Sequence, residues 1–254
     1  EHLNNFDTFH PEGLTTYFSI SCVFQDSRER FWFGTYHGGL YRYHPGKKEM
    51  RIFDIRDGLS SNFISTISED SDGNLWVGTW GGGITRINDE VLKVFDNTNG
   101  LNDNKIRSIV GDHEGNIMIG SNDNGLFIFK GEKFVRYGEE IVADPQVWAL
   151  EQDGMNRLWI GTNKGITLLE GENYSTVYKQ FNRGNSNIGE MIRFLKKDSQ
   201  NNIWVAAEGS GIYKYDAREK SFYYFSELNY LLFRDFIVTG LEIDAHGNLW
   251  AGTN

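Results

Sequence analysis

EDSDGNLWVGTWGGGI, residues 69–84, offers three chemistries at once: an acidic start (Asp70, Asp72, Asn74) suited to a metal, glycines suited to a phosphate, and tryptophans suited to a sugar. The stretch is not unique. QDSRERFWFGTYHGGL, GDHEGNIMIGSNDNGL, QDGMNRLWIGTNKGI, KDSQNNIWVAAEGSGI and IDAHGNLWAGTN repeat its pattern, with anchors at Trp32, Trp76, Met118, Trp159, Trp204 and Trp250. Successive anchors are 44, 42, 41, 45 and 46 residues apart. A period in the low forties over the whole chain decides the fold before any single motif is weighed.

Counted back from each anchor, position −6 is Asp in every copy: Asp26, Asp70, Asp112, Asp153, Asp198 and Asp244. Position −3 is Gly73, Gly115 or Gly247 in three copies, Asn156 or Asn201 in two and Glu29 in one. Asp opening a four-residue turn, with Gly or Asn closing it, predicts a type I hairpin turn whose carboxylate caps backbone amides. Apolar residues at −12 and −9 predict a strand before the turn, and the small residues at −10 (Cys22, Thr66, Ser108, Ala149, Gly240, with Phe194 the exception) suit crowding near an axis. LWVGT and its relatives make a second strand, GLYRY, GITRI, GLFIF and GIYKY a third, and MRIF, LKVF, FVRY, STVY and FYYF a fourth. Four short strands per repeat, without helical periodicity, predict an all-β fold: a β-propeller of four-stranded antiparallel blades. Residues 1–254 read as one domain with five complete blades and part of a sixth. The stretch NNFDTFHPEGLTT resembles a fourth strand and its loop, and AGTN is all that follows the last anchor, so a propeller of at least seven blades is expected.

Bulk properties narrow the function. A net charge of −10 argues against nucleic-acid binding, which needs clustered Lys and Arg. The lone Cys22 excludes an intrachain disulfide and argues against a cysteine zinc site. Aromatic residues at 15% with only three prolines fit an ordered chain without linkers. A calcium loop from DSDGNLWVGTWG fails at its sixth and twelfth positions, Leu75 and Gly81, where Gly and Glu are required. GTWGGG lacks the Lys-Ser/Thr and the helix of a phosphate loop, so its glycines read as strand punctuation. No metal and no cofactor is expected.

DGLSSNFISTISEDSDGNLWVGTWGGGI resembles the two-component regulator propeller repeat, found in periplasmic sensor regions of Bacteroides-type hybrid histidine kinases. The resemblance implies a non-catalytic, extracytoplasmic sensor region that detects oligosaccharides released from glycans and regulates their utilisation genes. It also implies further propeller and immunoglobulin-like domains in the same chain, a membrane anchor, and a homodimer of the full-length protein. Met118, and Ala206–Ala207 in place of Gly-Thr, depart from the pattern, which makes the third and fifth blades the expected irregular ones.

In such a fold the loops between second and third strands open around the central channel. They carry Tyr36 and His37, Trp80, Asn122 and Asp123, Asn163 and Lys164, and Glu208 and Ser210. Position −11 runs Ser21, Ser65, Arg107, Trp148, Arg193, Thr239. Arg forks match carboxylate or sulfate and aromatic faces stack on pyranose rings, so Arg107, Trp148 and Arg193 are the preferred contacts for an acidic oligosaccharide. The plain alternative is a solvated rim. A lyase or glycosidase needs a converging base or carboxylate pair, whereas His2, His10, His37, His44, His113 and His246 fall at unrelated repeat positions. A protein-interaction scaffold is the third reading.

Overall fold

Asp26, Asp70, Asp112, Asp153, Asp198 and Asp244 each close a hairpin in the computed structural model, which describes residues 19–253 apart from 113, 139–140, 143, 172–173, 183, 185, 187, 226–236 and 245. Each Asp backbone N–H donates to the carbonyl four residues on, as in Asp70 to Asn74 at 3.0 Å, and the residue three on folds back to the Asp carbonyl. That third residue takes the left-handed region: Gly73 has φ 76° and Asn156 φ 60°, and Glu29 adopts it at 61°. His2, His10, His113 and the expected strand in NNFDTFHPEGLTT lie outside the described residues.

The strands follow the repeat. Blade 1 is β1 (Ile20–Gln25), β2 (Phe31–Thr35), β3 (Leu40–His44) and β4 (Glu49–Phe53); blade 2 is β5 (Ile64–Glu69), β6 (Leu75–Thr79), β7 (Ile84–Asn88) and β8 (Val91–Phe95). Blade 3 is β9 (Ile106–Gly111), β10 (Ile117–Ser121), β11 (Leu126–Lys130) and β12 (Lys133–Tyr137); blade 4 is β13 (Val147–Gln152), β14 (Leu158–Thr162), β15 (Gly165–Glu170) and β16 (Thr176–Phe181). Blade 5 is β17 (Ile192–Lys197), β18 (Ile203–Ala207), β19 (Gly211–Asp216) and β20 (Ser221–Tyr224), followed by the pair β21 (Val238–Ile243) and β22 (Leu249–Thr253). Every sheet is antiparallel and pairs its strands in chain order. A short 3₁₀ turn at Asn97–Asn99, capped by Asp96, is the helical element between blades 2 and 3.

Apolar side chains meet between blades rather than within them. Trp76, Ile84 and Phe95 of blade 2 pack on Ile106, Ile109, Ile117 and Phe134 of blade 3. Trp159 and Phe181 of blade 4 pack in the same way on Ile192, Leu195 and Tyr215 of blade 5. Trp76 meets Phe129 edge-on at 4.9 Å between ring centres, and Trp159 meets Tyr215 at 4.8 Å. Every blade therefore depends on its neighbour to bury its face, and Ile20, Val23 and Trp250, at repeat positions buried in the middle blades, are 55%, 58% and 48% exposed at the two ends.

Two expectations are corrected. The third and fifth blades are as regular as the rest: all five residues of β10 and of β18 are buried, and their registers repeat those of the other blades. Where Met118 supplies no indole, the Tyr174 hydroxyl of blade 4 donates to Asp112 Oδ2 at 2.9 Å and fills the missing role. The glycine of the Gly-Thr pair is also more than punctuation. Gly78 lies inside β6, and a Cβ there would meet Thr66 Cγ2 at 2.6 Å and Ile106 Cγ2 of the next blade at 2.7 Å. Gly83, by contrast, is the turn glycine, at φ 82° and with the Phe95 carbonyl where a Cβ would go.

Candidate functional site

Position −11 is structurally special. In each of the six innermost hairpins the register skips one residue: Ile64 faces Thr79 and Thr66 faces Gly78, so Ser65 opposes nothing. The same skip leaves Ser21, Arg107, Trp148, Arg193 and Thr239 unpaired. An extra residue in one strand is a β-bulge, which bends the strand and re-aims that side chain. The six bulged residues line one channel of about 750 Å³ along the innermost strands. Ser21 leans onto the next blade, its hydroxyl donating to the Ile64 carbonyl at 2.5 Å.

The bulge also sets the partner of each such side chain. Because −12 pairs with +3, position −11 lies beside +4, the first residue of the loop between second and third strands. The two are 15 residues apart, and in three blades they bond directly. Arg107 Nε donates to Asn122 Oδ1 at 2.8 Å, with the Arg107 Nη2 donating to the same oxygen. Trp148 Nε1 donates to Asn163 Oδ1 at 2.7 Å, and Arg193 Nε donates to Glu208 Oε2. Backbone bonds hold +4 as well: the Trp80 N–H donates to Phe63 O at 2.9 Å and that of Glu208 to Met191 O at 2.8 Å.

Three blades then meet in one stack. The Arg107 guanidinium carbon lies 3.3 Å from the Trp148 ring centre and that of Arg193 lies 3.6 Å from it. Two planar cations that close to one centroid cannot share a face, so they sandwich the indole. Each such contact is worth roughly 0.5–2 kcal/mol. Trp80 extends the row, with Arg107 4.8 Å from its ring centre and Phe63 at 6.3 Å on a tilted plane. Tyr36 and His37 end it, edge-on to Phe63 at 5.0 and 5.7 Å. Burial and then the nearby Arg193 charge pull Arg107 down to about 10, which leaves it protonated at neutral pH.

Nine of the ten predicted residues thus fall along one arc of the channel mouth, including Asp123, which accepts from Asn122 Nδ2 at 2.6 Å and stands 3.6 Å from Lys105 Nζ. Lys164 is the outlier, highly exposed and directed to Asp144 at 3.6 Å. Trp148 occupies its predicted place in a different role: with guanidiniums on both faces, it spaces two cations rather than offering a face to a sugar. Phe63 was missed, although its −13 place next to the GLSSN loop is visible in the repeat. A groove of about 700 Å³ adjoins the stack, lined by Asn163, Ser186, Glu190, Glu208 and Ser210.

A β-propeller with a charged, aromatic channel mouth is the class these features define. Residues 58–81 and 100–123 match the two-component regulator propeller family model. Among solved structures it is similar to the extracellular domain of a protein described as a hybrid two-component system, BT3049 of B. thetaiotaomicron, at 24% identity, a TM-score of 0.77, and coverage of 97% of this chain and 33% of that one. The extracellular domain of BT4673, from the same organism, matches at 20% identity, a TM-score of 0.64, and coverage of 92% and 41%. Virginiamycin B lyase of Staphylococcus aureus matches at 14% identity, a TM-score of 0.69, and coverage of 92% and 77%. The chain therefore spans about a third of the first of these and under half of the second. At such identities the likeness establishes the fold. No curated protein matches the chain.

Proposed function

We propose that this propeller is the non-catalytic, extracytoplasmic sensing region of a hybrid two-component histidine kinase. It binds a glycan-derived oligosaccharide at the channel mouth, and binding regulates genes for use of that glycan. The observation that carries the reading is the Trp80–Arg107–Trp148–Arg193 row, because none of it is needed to build a blade. Blade 1 carries Ser21 at the same repeat position as Arg107, and blade 2 carries Ser65, within sheets of the same register. The repeat family and the fold shared with sensor extracellular domains agree with this assignment. Periplasmic placement follows from the same assignment, and no helix among the described residues is long and apolar enough to cross a membrane.

A lyase reading draws on the fold shared with virginiamycin B lyase. Of the described histidines, His37 packs on Phe63 at the mouth, His44 ends β3, and His246 sits in an Asp turn at the far end of its hairpin. These places do not converge. Calorimetry against a panel of neutral and acidic oligosaccharides tests the proposal: saturable one-to-one binding with intact ligand recovered is expected, and release of product, or silence across the panel, overturns it.

A further inference from the structure

Arg107 and Arg193 occupy equivalent repeat positions and flank one indole, yet their surroundings differ in charge. Arg193 is neutralised in place by Glu208, the +4 residue of its own blade, with both side chains about a quarter exposed. Arg107 meets a neutral amide at the corresponding position, Asn122, which is 7% exposed. The nearby carboxylates are otherwise engaged. Asp123 accepts from Asn122 Nδ2 and faces Lys105, while Asp103 accepts from the Lys105 and Asp123 backbone amides at 2.9 and 2.7 Å. Arg107 is thus a half-buried guanidinium with no carboxylate of its own, pressed by a second cation across the Trp148 ring.

Geometry narrows what can relieve it. Trp148 covers one flank of the guanidinium and Trp80 stands against it as well, while Nε and Nη2 both serve the Asn122 oxygen. What remains is the outer edge of the fork, held in fixed orientation beside an aromatic ring. Such an edge suits a planar carboxylate or a sulfate better than a hydroxyl. Burial without a counter-ion makes the complement of charge worth more here than at the surface.

We propose that Arg107 is the anion reader of the channel mouth: it takes a carboxylate or sulfate borne by one sugar residue, with the body of that sugar against Trp80. The neutral Arg193–Glu208 pair meets hydroxyls of the neighbouring residue. Asn122 tunes the site, because an acidic residue there would silence Arg107 as Glu208 silences Arg193. The inference rests on the oligosaccharide reading above and adds the charge class of the ligand and the residue that selects it.

The test compares, by calorimetry, a uronate trisaccharide, its carboxyl-reduced neutral counterpart and a sulfated disaccharide. At least one acidic probe is expected to bind tenfold or more tighter than the neutral trisaccharide, about the effect of one desolvated charge contact, and whichever acid binds tighter identifies the source of the anion. Arg107→Gln should abolish that preference and Arg107→Lys restore part of it. Arg193→Gln should weaken the acidic and neutral probes alike and leave the ratio of their affinities within roughly threefold of the native value, while Asn122→Asp should abolish the preference with every native cation in place. Thermal melting and the tryptophan near-ultraviolet dichroism of each variant report whether the sandwich still forms. Equal binding of the neutral and acidic probes overturns the role of Arg107 while leaving oligosaccharide binding intact. Loss of preference in Arg193→Gln as large as in Arg107→Gln overturns the asymmetry. Silence of all three probes overturns the oligosaccharide reading and this inference with it.

Discussion

Within each Asp turn the two carboxylate oxygens divide the work. Oδ1 accepts backbone amides two and four residues on, as from Met155 and Arg157 to Asp153 at 2.9 and 3.0 Å. Oδ2 accepts the indole N–H six residues on, at 2.7 Å for Asp26 and Asp70, 2.9 Å for Asp153, 3.1 Å for Asp198 and 3.0 Å for Asp244. Asn or Ser could cap the turn; a carboxylate is what serves the turn and the buried indole together, which accounts for the invariance of Asp. The turn role was legible from position −6 alone, but the indole bond was not, since it depends on how the next strand brings the Trp edge back over the turn. Asp153 is 2% exposed and also binds the buried Arg157 guanidinium at 2.7 Å. Asp153→Ala is therefore expected to cost roughly 3–5 kcal/mol, by taking the carboxylate away from a buried guanidinium and a buried indole N–H. Asp244→Ala removes the same motif from an exposed hairpin and should shift the urea midpoint by a small fraction of that amount. Equal shifts would show that burial does not set the strength of this motif.

A blade's second strand is a contact surface for the next blade, and its glycine controls the distance between them. Ile64, Ile106, Val147 and Ile192 each approach Gly34, Gly78, Gly120 and Gly161 of the preceding blade so closely that a Cβ there would sit 2.5–2.8 Å from a side-chain methyl. The pairing of a β-branched residue at −12 with Gly at +2 is present in the sequence. Its meaning is not, because the two are joined across blades rather than within a strand. Ala206 stands at the equivalent place in blade 5, where the −12 residue of the next hairpin is Val238. Gly78→Ala should therefore destabilise by about 1–3 kcal/mol through overpacking. Gly240, which has open space where a Cβ would go, should accept Ala within about 0.5 kcal/mol. Denaturant titration of both variants checks the contrast, and an unperturbed Gly78→Ala would refute the close-approach account.

The channel exists only when six innermost strands stand side by side, and its two levels carry different chemistry. Position −11 gives the cation–aromatic row; position −8 gives Glu151, Lys196 and Glu242, with Lys196 Nζ 2.7 Å from Glu242. Burial raises the Glu151 carboxyl to about 7, against the opposing pull of Lys196 and Lys197, while Glu242 adds to the rise. A folded-state value above the unfolded one means that the native protein binds the proton more tightly, so this group favours folding below about pH 4.5. That contribution fades as pH rises to about 7. Urea midpoints should accordingly decline across this window beyond the trend of the other groups, and Glu151→Gln should flatten the decline. An unchanged slope in the variant would remove Glu151 from the account.

The sequence by itself determined the propeller, the blade boundaries and the face on which variable residues gather, because these follow from a period of 41 to 46 residues and from local turn and strand chemistry. It also singled out Arg107, Trp148 and Arg193 as residues the repeat does not explain. Their arrangement was decided by tertiary structure alone. A β-bulge is a two-strand property, and the stacking of guanidiniums on an indole joins residues 41 and 45 positions apart through the geometry of adjacent blades. Only that assembly turned Trp148 from a prospective sugar platform into the spacer between two arginines, and distinguished Arg193, neutralised by Glu208, from Arg107, which faces the neutral amide of Asn122.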